Sequence, residues 1–279
     1  MAKIGIVTDS NVCMPPELVS DYDIRVVPLS LNFGQTSYRD GVDINPTDFY
    51  EKLKKATELP TTSAPILGDF IKTFTELRDH VEGVVCVMVS SGISSTFEVG
   101  LKAAELVDDL PIRVIDCRTA TMAQGFIVLE AARAAKEGAN LDEVIARTES
   151  TMARSNFLFI LEDMSYLARG GRMPPAAARL GSALKIIPVM RADEGKIGLA
   201  SVVRTRRRAV SRMVKELARA AGDRPVHVAV MHAQVPDEAE ALRQEVDKRF
   251  DCIELYVTEF TPVMGAHVGP GLLGLAYFT

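Results

Sequence analysis

Short apolar runs alternate with amphipathic segments along the first half of this 279-residue chain, and this alternation is the strongest constraint on its fold. Residues 4–8, 24–33, 84–89 and 112–116 have the length and apolar content of buried strands, and segments with helical spacing of apolar residues lie between them. Strands that alternate with helices in this way form a parallel sheet covered by helices on both faces. The pattern therefore predicts an α/β fold for this half, with ligands beyond the carboxyl ends of the strands.

Polar segments that end three of these strands should share that edge of the sheet: Asp9-Ser10, residues 90–95 and residues 116–119. Residues 90–96 contain four serines and a threonine, without an acid, a base or a metal ligand, and they precede a predicted helix. Either Ser94 or Ser95 caps that helix, or the hydroxyl and N–H groups hold a carboxylate or phosphate. Both interpretations stay open at this point. Residues 61–63, before a helix predicted from residue 65, repeat the arrangement.

The character of the chain changes near residue 154. Residues 187–191 and 196–203 form a predicted hairpin around Asp193-Glu194-Gly195, and helices and further strands follow up to residue 278. Neighbouring hairpin strands followed by helices predict an α+β domain with a mixed sheet. We therefore expect an N-terminal parallel-sheet α/β domain at residues 1–154 and a C-terminal α+β domain at residues 155–279.

Composition narrows the class of protein. A net charge of −5 argues against a general nucleic-acid binder, including a regulatory module that would use the arginine-rich segment 204–208. No apolar stretch reaches the roughly 18 residues of a membrane-spanning helix, and Asp9 comes too early for a signal peptide. The four cysteines are scattered and are predicted to be buried free thiols. We therefore expect a cytoplasmic protein without stable membrane insertion.

Residues 269–274 match the pattern G-x-G-x-x-G of dinucleotide sites. The printed chain ends at Thr279, which leaves no place for the helix and the later acid that such a site requires. A phosphate loop of the G-x-x-x-x-G-K-[ST] type is also missing from the sequence. We therefore expect no nucleotide site in this chain.

A histidine and two arginine clusters are the remaining candidates for a binding role. His267 lies among glycines that let a backbone approach a ligand closely; it is either a turn residue without a role or a donor to an anion. Six arginines are concentrated in residues 169–172 and 204–208. They form either a solvated helix face or a docking surface for an acidic or phosphate-bearing partner.

Seven short motifs stand in one order along the chain: Thr8-Asp9-Ser10, residues 60–65, residues 90–94, Ile115-Asp116, residues 167–172, Arg204-Thr205 and residues 265–271. Together they resemble the DegV family, the fatty-acid-binding subunits of bacterial fatty acid kinase. Each motif alone is weak, but seven in sequence are specific, and the resemblance runs essentially from end to end.

The resemblance implies two α/β-type domains that hold one long-chain fatty acid between them. It assigns the fatty-acid carboxylate to Thr62, Ser94 and His267. The supporting loops would contribute Asp9, Ser10, Thr61, Ser63, Gly92, Ser95, Gly265 and Gly269. On this basis the chain would have no catalytic residue, metal or cofactor of its own.

The resemblance also implies protein partners. A separate ATP-using kinase subunit would phosphorylate the bound acid to an acyl phosphate, with Arg172 and Arg204 near its docking surface. An acyltransferase that uses the acyl phosphate would be a further partner. Three positions depart from the family pattern: Ser95 and Ala123 stand where glycine is usual, and Cys117 stands where serine is usual. They border the site, so the preferred chain length is not predicted.

The alternative is a serine hydrolase of acyl esters that uses Ser94 and His267. Residues 92–96 contain the first four places of a nucleophile elbow, but the fifth is Thr96 instead of glycine. Magnitudes favour a binding role for the hydroxyls. At about 0.8 kcal/mol for each buried CH₂, a sixteen-carbon chain gains roughly 10 kcal/mol before association costs, whereas a hydrogen bond to a charged group contributes about 1.5–3 kcal/mol. We expect an apolar tunnel to provide affinity and the polar residues to fix orientation.

Overall fold

The computed structural model describes residues 3–178 and 186–279. The strands within these ranges are β1 (Ile4–Asp9), β2 (Arg25–Val27), β3 (Ser30–Phe33), β4 (Thr36–Arg39), β5 (Thr61–Ser63), β6 (Gly83–Met88), β7 (Ile112–Asp116), β8 (Asn156–Ile160), β9 (Ile187–Asp193), β10 (Lys196–Val203), β11 (Val226–His232), β12 (Cys252–Glu259) and β13 (Leu273–Phe278). The helices are α1 (Pro16–Asp21), α2 (Pro46–Lys55), α3 (Leu67–Arg78), α4 (Thr96–Ala104), α5 (Thr121–Lys136), α6 (Leu141–Met152), α7 (Ser165–Arg169), α8 (Pro175–Ala178), α9 (Arg206–Ala221), α10 (Pro236–Asp247) and α11 (Pro262–Val268).

The first half of the chain forms the predicted parallel sheet. Its strand order is β2-β1-β6-β7, and every neighbouring pair is parallel. Strands β1 and β6 are buried along their whole length because helices cover both faces of this sheet. The polar strand ends meet as predicted: Asp9 Oδ2 accepts a 2.7 Å hydrogen bond from the N–H of Val89, and Ser91 Oγ donates a 2.5 Å bond to Asp116 Oδ2.

The second half forms a mixed six-stranded sheet in the order β10-β9-β8-β13-β11-β12. Only β11 and β12 are parallel within it; the other neighbours are antiparallel. The predicted hairpin is β9–β10, and its turn residues Glu194 and Gly195 both have positive φ angles, 48° and 80°, as tight hairpin turns require. The mixed α/β fold is thus confirmed, and the domain boundary at residues 154–155 stays a prediction.

The segment between β1 and α3 differs from the prediction. Residues 24–33 are not one strand: β2 ends before Pro28, and β3 leaves the parallel sheet to join a three-stranded antiparallel sheet in the order β4-β3-β5. The expected helix start at residues 61–63 is strand β5, because Thr62 pairs with Leu31 of β3. Helix α3 begins only at Leu67. The hydroxyl side chains of residues 61–63 are typical of a helix start. Pairing with strand β3 nevertheless makes these residues a strand.

Helix α5 lies between the two large sheets and contacts β1 and β6 on one side and β11 and β13 on the other. All but three of its sixteen residues are buried, so it has no solvated stripe. The apolar cluster around it joins both halves of the chain and includes Met122, Phe126, Phe157 and Phe260. Separate clusters lie under α3 and α4 and under α9 and α10. The main apolar layer is therefore the one between the sheets.

Candidate functional site

Thr62 and His267, which are 205 positions apart, are hydrogen-bonded side chain to side chain. Thr62 is the central residue of β5. His267 lies in the last turn of α11, which ends at Val268 and is followed by Gly269 with φ 66°. His267 is therefore a helix residue, and its interpretation as a turn residue was wrong. Its Nε2 lies 2.7 Å from Thr62 Oγ1. The strand and the helix meet at this pair of side chains.

The imidazole of His267 is neutral near pH 7. Burial, together with the positive charge of Arg172, lowers its pKa to about 4. A neutral imidazole has one N–H and one acceptor nitrogen. The Nδ1 atom is buried and has no hydrogen-bond partner in residues 3–178 and 186–279. A proton on Nδ1 would leave a buried donor unsatisfied, so we assign the proton to Nε2.

With this tautomer, His267 donates to Thr62 Oγ1, and the hydroxyl proton of Thr62 is free for another acceptor. Thr62 and His267 line a cleft of about 400 Å³ together with Arg169, Gly170 and Arg172. The hydroxyl is therefore available to a ligand oxygen in this cleft. A histidine, a threonine and an arginine around one concave surface are suited to bind an anion.

Ser94 lies in the loop between β6 and α4. Its Oγ is 2.8 Å from Thr96 Oγ1 and accepts a 3.3 Å hydrogen bond from the N–H of Thr96. The adjacent Ser95 takes the capping position of α4 without a side-chain capping bond. Ser94 therefore makes only a local turn with the first residue of α4 and no capping bond of the usual kind, and its role as an anion ligand stays a prediction. Ser94 is hydrogen-bonded to Thr96, and His267 is hydrogen-bonded to Thr62. A hydrolase that used Ser94 and His267 would need a hydrogen bond between these two residues, and the structure has different partners for each.

Arg172 connects the two parts of the site. Its Nε donates a 3.2 Å bond to the carbonyl of Ile93, next to Ser94, and a guanidinium N–H donates a 2.5 Å bond to the carbonyl of Gly170. Arg172 also lines a second cleft, of about 520 Å³, with Ser94 and Lys196. The side chain is half-buried, and its burial lowers its own pKa. The sequence pointed to Arg172 only as a docking residue, although Gly170-Gly171 beside it signals close backbone packing.

Glycines shape the approach between these elements. A Cβ atom at Gly265 would lie 2.6 Å from the ring of Phe49, and one at Gly269 would lie 2.5 Å from the ring of Tyr166. A Cβ atom at Gly92 would lie 2.4 Å from the carbonyl oxygen of Gly195. The three predicted supporting glycines therefore allow close packing around the site.

Asp9 and Ser10 lie at the end of β1 and hold neighbouring loops through hydrogen bonds to backbone N–H groups. Asp9 is fully buried, and its carboxylate accepts bonds from the N–H groups of Val89 and Asn11 and from Gln124 Nε2. Burial raises the pKa of Asp9, and these hydrogen bonds oppose the rise. Ser10 Oγ accepts a 3.1 Å bond from the N–H of Leu29. Both residues hold loops at the strand edge. Sequence reasoning missed Gln124 because a polar residue in a helix normally faces solvent.

The remaining predicted residues lie at the surface. Thr61 and Ser63, the neighbours of Thr62 in β5, are exposed, and Thr61 lines the smaller cleft. Ser95 is exposed and lines the larger one. Arg204 directly follows β10, is exposed, and has no hydrogen bond or ion pair to any residue that the structure describes.

The tip of the β9–β10 hairpin is fastened to the loops that follow β6 and β7. Ser90 Oγ donates a 2.7 Å bond to the carbonyl of Gly195, and the N–H of Gly195 donates a 3.0 Å bond to the carbonyl of Arg118. We call these two bonds the hairpin clasp. Because Lys196, the next residue, lines the cleft of Ser94, the clasp fixes one wall of that cleft.

The described ranges contain neither a membrane-spanning helix nor a metal-binding cluster. None of the helices in residues 3–178 and 186–279 is long and apolar enough to cross a bilayer. No group of three or more His, Cys, Asp or Glu residues in those ranges could hold a metal ion.

The four-stranded parallel sheet and the six-stranded mixed sheet define a protein of the mixed α/β class, and comparison with known proteins identifies its family. The model of the DegV family, described as "uncharacterised protein, DegV family", matches residues 3–279. A DegV domain-containing protein of Halalkalibacterium halodurans is 38% identical, over 100% of this chain and 99% of its own length. The chain therefore belongs to the DegV family.

Solved structures show the same fold. The crystal structure of DegV from Bacillus subtilis, named a fatty acid binding protein, has a TM-score of 0.93 and 33% identity over 100% of both chains. A DegV family protein from Thermus thermophilus, described by its fatty acid binding, has a TM-score of 0.93 and 30% identity over 99% of both chains.

Proposed function

We propose that this protein binds one long-chain fatty acid with its carboxylate at Thr62, Ser94 and His267 and its acyl chain between the two sheets. The observation that carries the proposal is the 2.7 Å contact between Thr62 Oγ1 and His267 Nε2, which leaves a hydroxyl donor directed to a cleft. The fatty-acid binding named for the relatives from Bacillus subtilis and Thermus thermophilus supports this choice of ligand.

The carboxylate would be bound by donors of two kinds. Thr62 and Ser94 offer hydroxyl groups, and Arg172, half-buried between the two clefts, offers a positive charge. Hydrogen bonds to an ionised group are stronger than those between neutral groups. Because His267 orients Thr62 and Arg172 is held by the carbonyls of Ile93 and Gly170, these donors are in place before the ligand arrives.

The acyl chain would occupy the apolar layer around α5. Met122 and Met190 belong to this layer together with Phe157, Phe159 and Phe260. Methionine side chains are flexible and adapt to the shape of an apolar partner, so they can move aside for a chain. Burial of sixteen carbons at about 0.8 kcal/mol per CH₂ would supply most of the affinity.

The bound acid would then serve a separate enzyme. We propose that the chain presents the carboxylate to an ATP-dependent kinase subunit in the cytoplasm, which forms an acyl phosphate for an acyltransferase. The chain itself would contribute no catalytic residue, as the different partners of Ser94 and His267 support. The exposed Arg204 and the exposed edge of Arg172 would face the kinase.

The test is extraction of the purified protein with organic solvent, followed by mass spectrometry of the extract and native mass spectrometry of the protein with palmitate. One fatty acid per chain is the expected result. Thr62→Val should lower palmitate affinity about tenfold or more, since a hydrogen bond to a charged group is lost. Thr36→Val, at an exposed position of β4 in the same small sheet that lines neither cleft, is the matched control and should have no such effect. A protein that binds no fatty acid of any length would contradict the proposal.

A further inference from the structure

A further cavity, separate from the two clefts described above, lies near the end of strand β1. It is on the β2 side of this strand, whereas the Ser94 cleft is on the β6 side. It has a volume of about 450 Å³, within the range of small-molecule sites, and none of Thr62, Ser94 and His267 lines it. Its walls come from the turn after β1, from α1 and β2, and from residues 40–42 and Thr261. Most of the wall is apolar and includes Val12, Met14, Ile24 and Val26.

The floor of this cavity has two buried polar atoms without a partner. Asp40 is only 2% exposed; its Oδ1 accepts a 3.2 Å bond from the N–H of Val263, but its Oδ2 has no hydrogen bond within the described ranges. The hydroxyls of Ser10 and Thr261 are near enough to lower the pKa of Asp40, yet neither gives Oδ2 a bond of acceptable geometry. Thr261 Oγ1 is also without a partner there. Buried polar atoms of native proteins are nearly always paired, so these two point to a missing donor.

The charge around the cavity favours a cationic donor. Among the residues that line it, Arg25 is the only base, and its guanidinium pairs with Asp23 at 3.0 Å. Both of these side chains are more than half exposed, so they lie at the rim and not on the floor. Buried Asp9 adds a second negative charge near Asp40. A carboxylate ligand would therefore be repelled, and an ammonium group would be attracted.

We propose that this cavity is a separate ligand site, in which Asp40 and Thr261 bind the ammonium group of a short primary alkylamine and the apolar wall holds its alkyl chain. An ammonium has three N–H donors and no acceptor, which matches two acceptor oxygens on one floor. A fatty acid would be excluded by the same charges, so this site differs in ligand class from the one at Thr62 and His267.

The test is titration calorimetry with n-octylammonium chloride on the palmitate-saturated protein. One amine per chain should bind, octanoate should not bind, and n-octanol should bind about tenfold more weakly because it has no charge. Asp40→Asn should lower amine affinity about tenfold or more. Asp79→Asn, the same chemical change at an exposed residue that does not line the cavity, is the matched control and should leave the affinity unchanged.

A second variant protects the test against a folding defect in Asp40→Asn. Thr261 makes no capping bond to α11, so Thr261→Val should fold and should also weaken amine binding. If palmitate itself does not bind, the same titrations on the unloaded protein still decide the question. The proposal is overturned if no amine binds, if Asp40→Asn and Thr261→Val bind it as well as the unaltered protein, or if palmitate displaces it.

Discussion

Gly170 and His267 are packed so closely that a Cβ atom at Gly170 would lie 2.6 Å from His267 Nδ1. The α7 segment that precedes Gly170 and the α11 helix that carries His267 are therefore held in contact by the absence of a side chain. This contact fixes the imidazole that orients Thr62.

Gly170→Ala should displace His267 and break its bond to Thr62. The backbone at Gly170 is helical, so alanine causes no backbone strain, and the expected loss of about 1–3 kcal/mol in unfolding free energy comes from overpacking. Urea unfolding and the imidazole NMR signals of His267 measure both effects. Gly68→Ala is the control, because nothing lies within 4 Å of its Cβ position; an unshifted His267 signal in Gly170→Ala would contradict the prediction.

Fatty-acid binding should raise the pKa of His267. The free protein has a value of about 4, because burial and Arg172 disfavour the imidazolium. A carboxylate beside the ring favours the charged form, so the bound protein should take up protons when palmitate binds between pH 4 and 6. NMR titration of His267 with and without palmitate measures this, and the exposed His80 serves as the internal reference. Hexadecanol, which has no charge, should leave the pKa of His267 unchanged; equal shifts with both ligands would argue against a carboxylate at this place.

Arg172 and Arg204 should have separable roles. Arg172→Gln removes the charge that lowers the pKa of His267, so that pKa should rise, and palmitate affinity should fall about tenfold. Arg204→Gln should leave both quantities unchanged, because Arg204 is exposed and lines neither cleft. Calorimetry with palmitate and a pull-down with the kinase subunit compare the two variants. Equal palmitate affinities of the two variants would contradict the separate roles. Weaker kinase association in both variants is the result expected if both arginines face the kinase.

Asp40 should make the stability of the protein fall as the pH rises from 4 to 6. Its folded pKa is about 6, chiefly because of burial, against 3.8 for an unperturbed aspartate. Between these values the folded state keeps a proton that the unfolded state has lost, so this contribution is present at pH 4 and is gone above pH 6. The full change is about 3 kcal/mol.

Asp40→Asn removes this dependence and keeps an acceptor oxygen for the N–H of Val263. The difference in unfolding free energy between the variant and the unaltered protein should therefore shift in favour of the variant as the pH rises from 4 to 7. Urea unfolding at several pH values measures it. Asp43→Asn is a suitable comparison, because Asp43 has a lowered pKa of about 2 and is exposed. A constant difference for Asp40→Asn across this range would contradict the assignment.

Local sequence patterns were sufficient for the large sheets, and insufficient for the small one. Strands β1, β6 and β7 could be predicted because each is a short apolar run bounded by polar residues. Strand β5 could not, because its three residues are hydrophilic and become a strand only by pairing with β3. No local pattern predicted that Thr62 and His267 belong to one site. That prediction came from the resemblance to the DegV family.

Side-chain roles that depend on tertiary packing were also beyond the sequence. Arg172 looked like a surface arginine, and its bond to the Ile93 carbonyl depends on how the α7 segment meets the loop after β6. Asp40 belongs to none of the seven motifs, and its burial follows from the position of Thr261 and Val263 far along the chain. Such relationships arise from contacts between distant segments, which residue spacing does not encode.

We expect the hairpin clasp to limit the speed at which the proposed lipid ligand exchanges. Both bonds of Gly195 join the second half of the chain to loops of the first half, at the wall of the Ser94 cleft. A lipid that enters by separating these halves must first break the bonds to Ser90 and Arg118, and the bonds reform once it is inside. Their strength therefore acts as a kinetic barrier common to uptake and release, and it can be altered without changing how tightly the lipid is held at equilibrium.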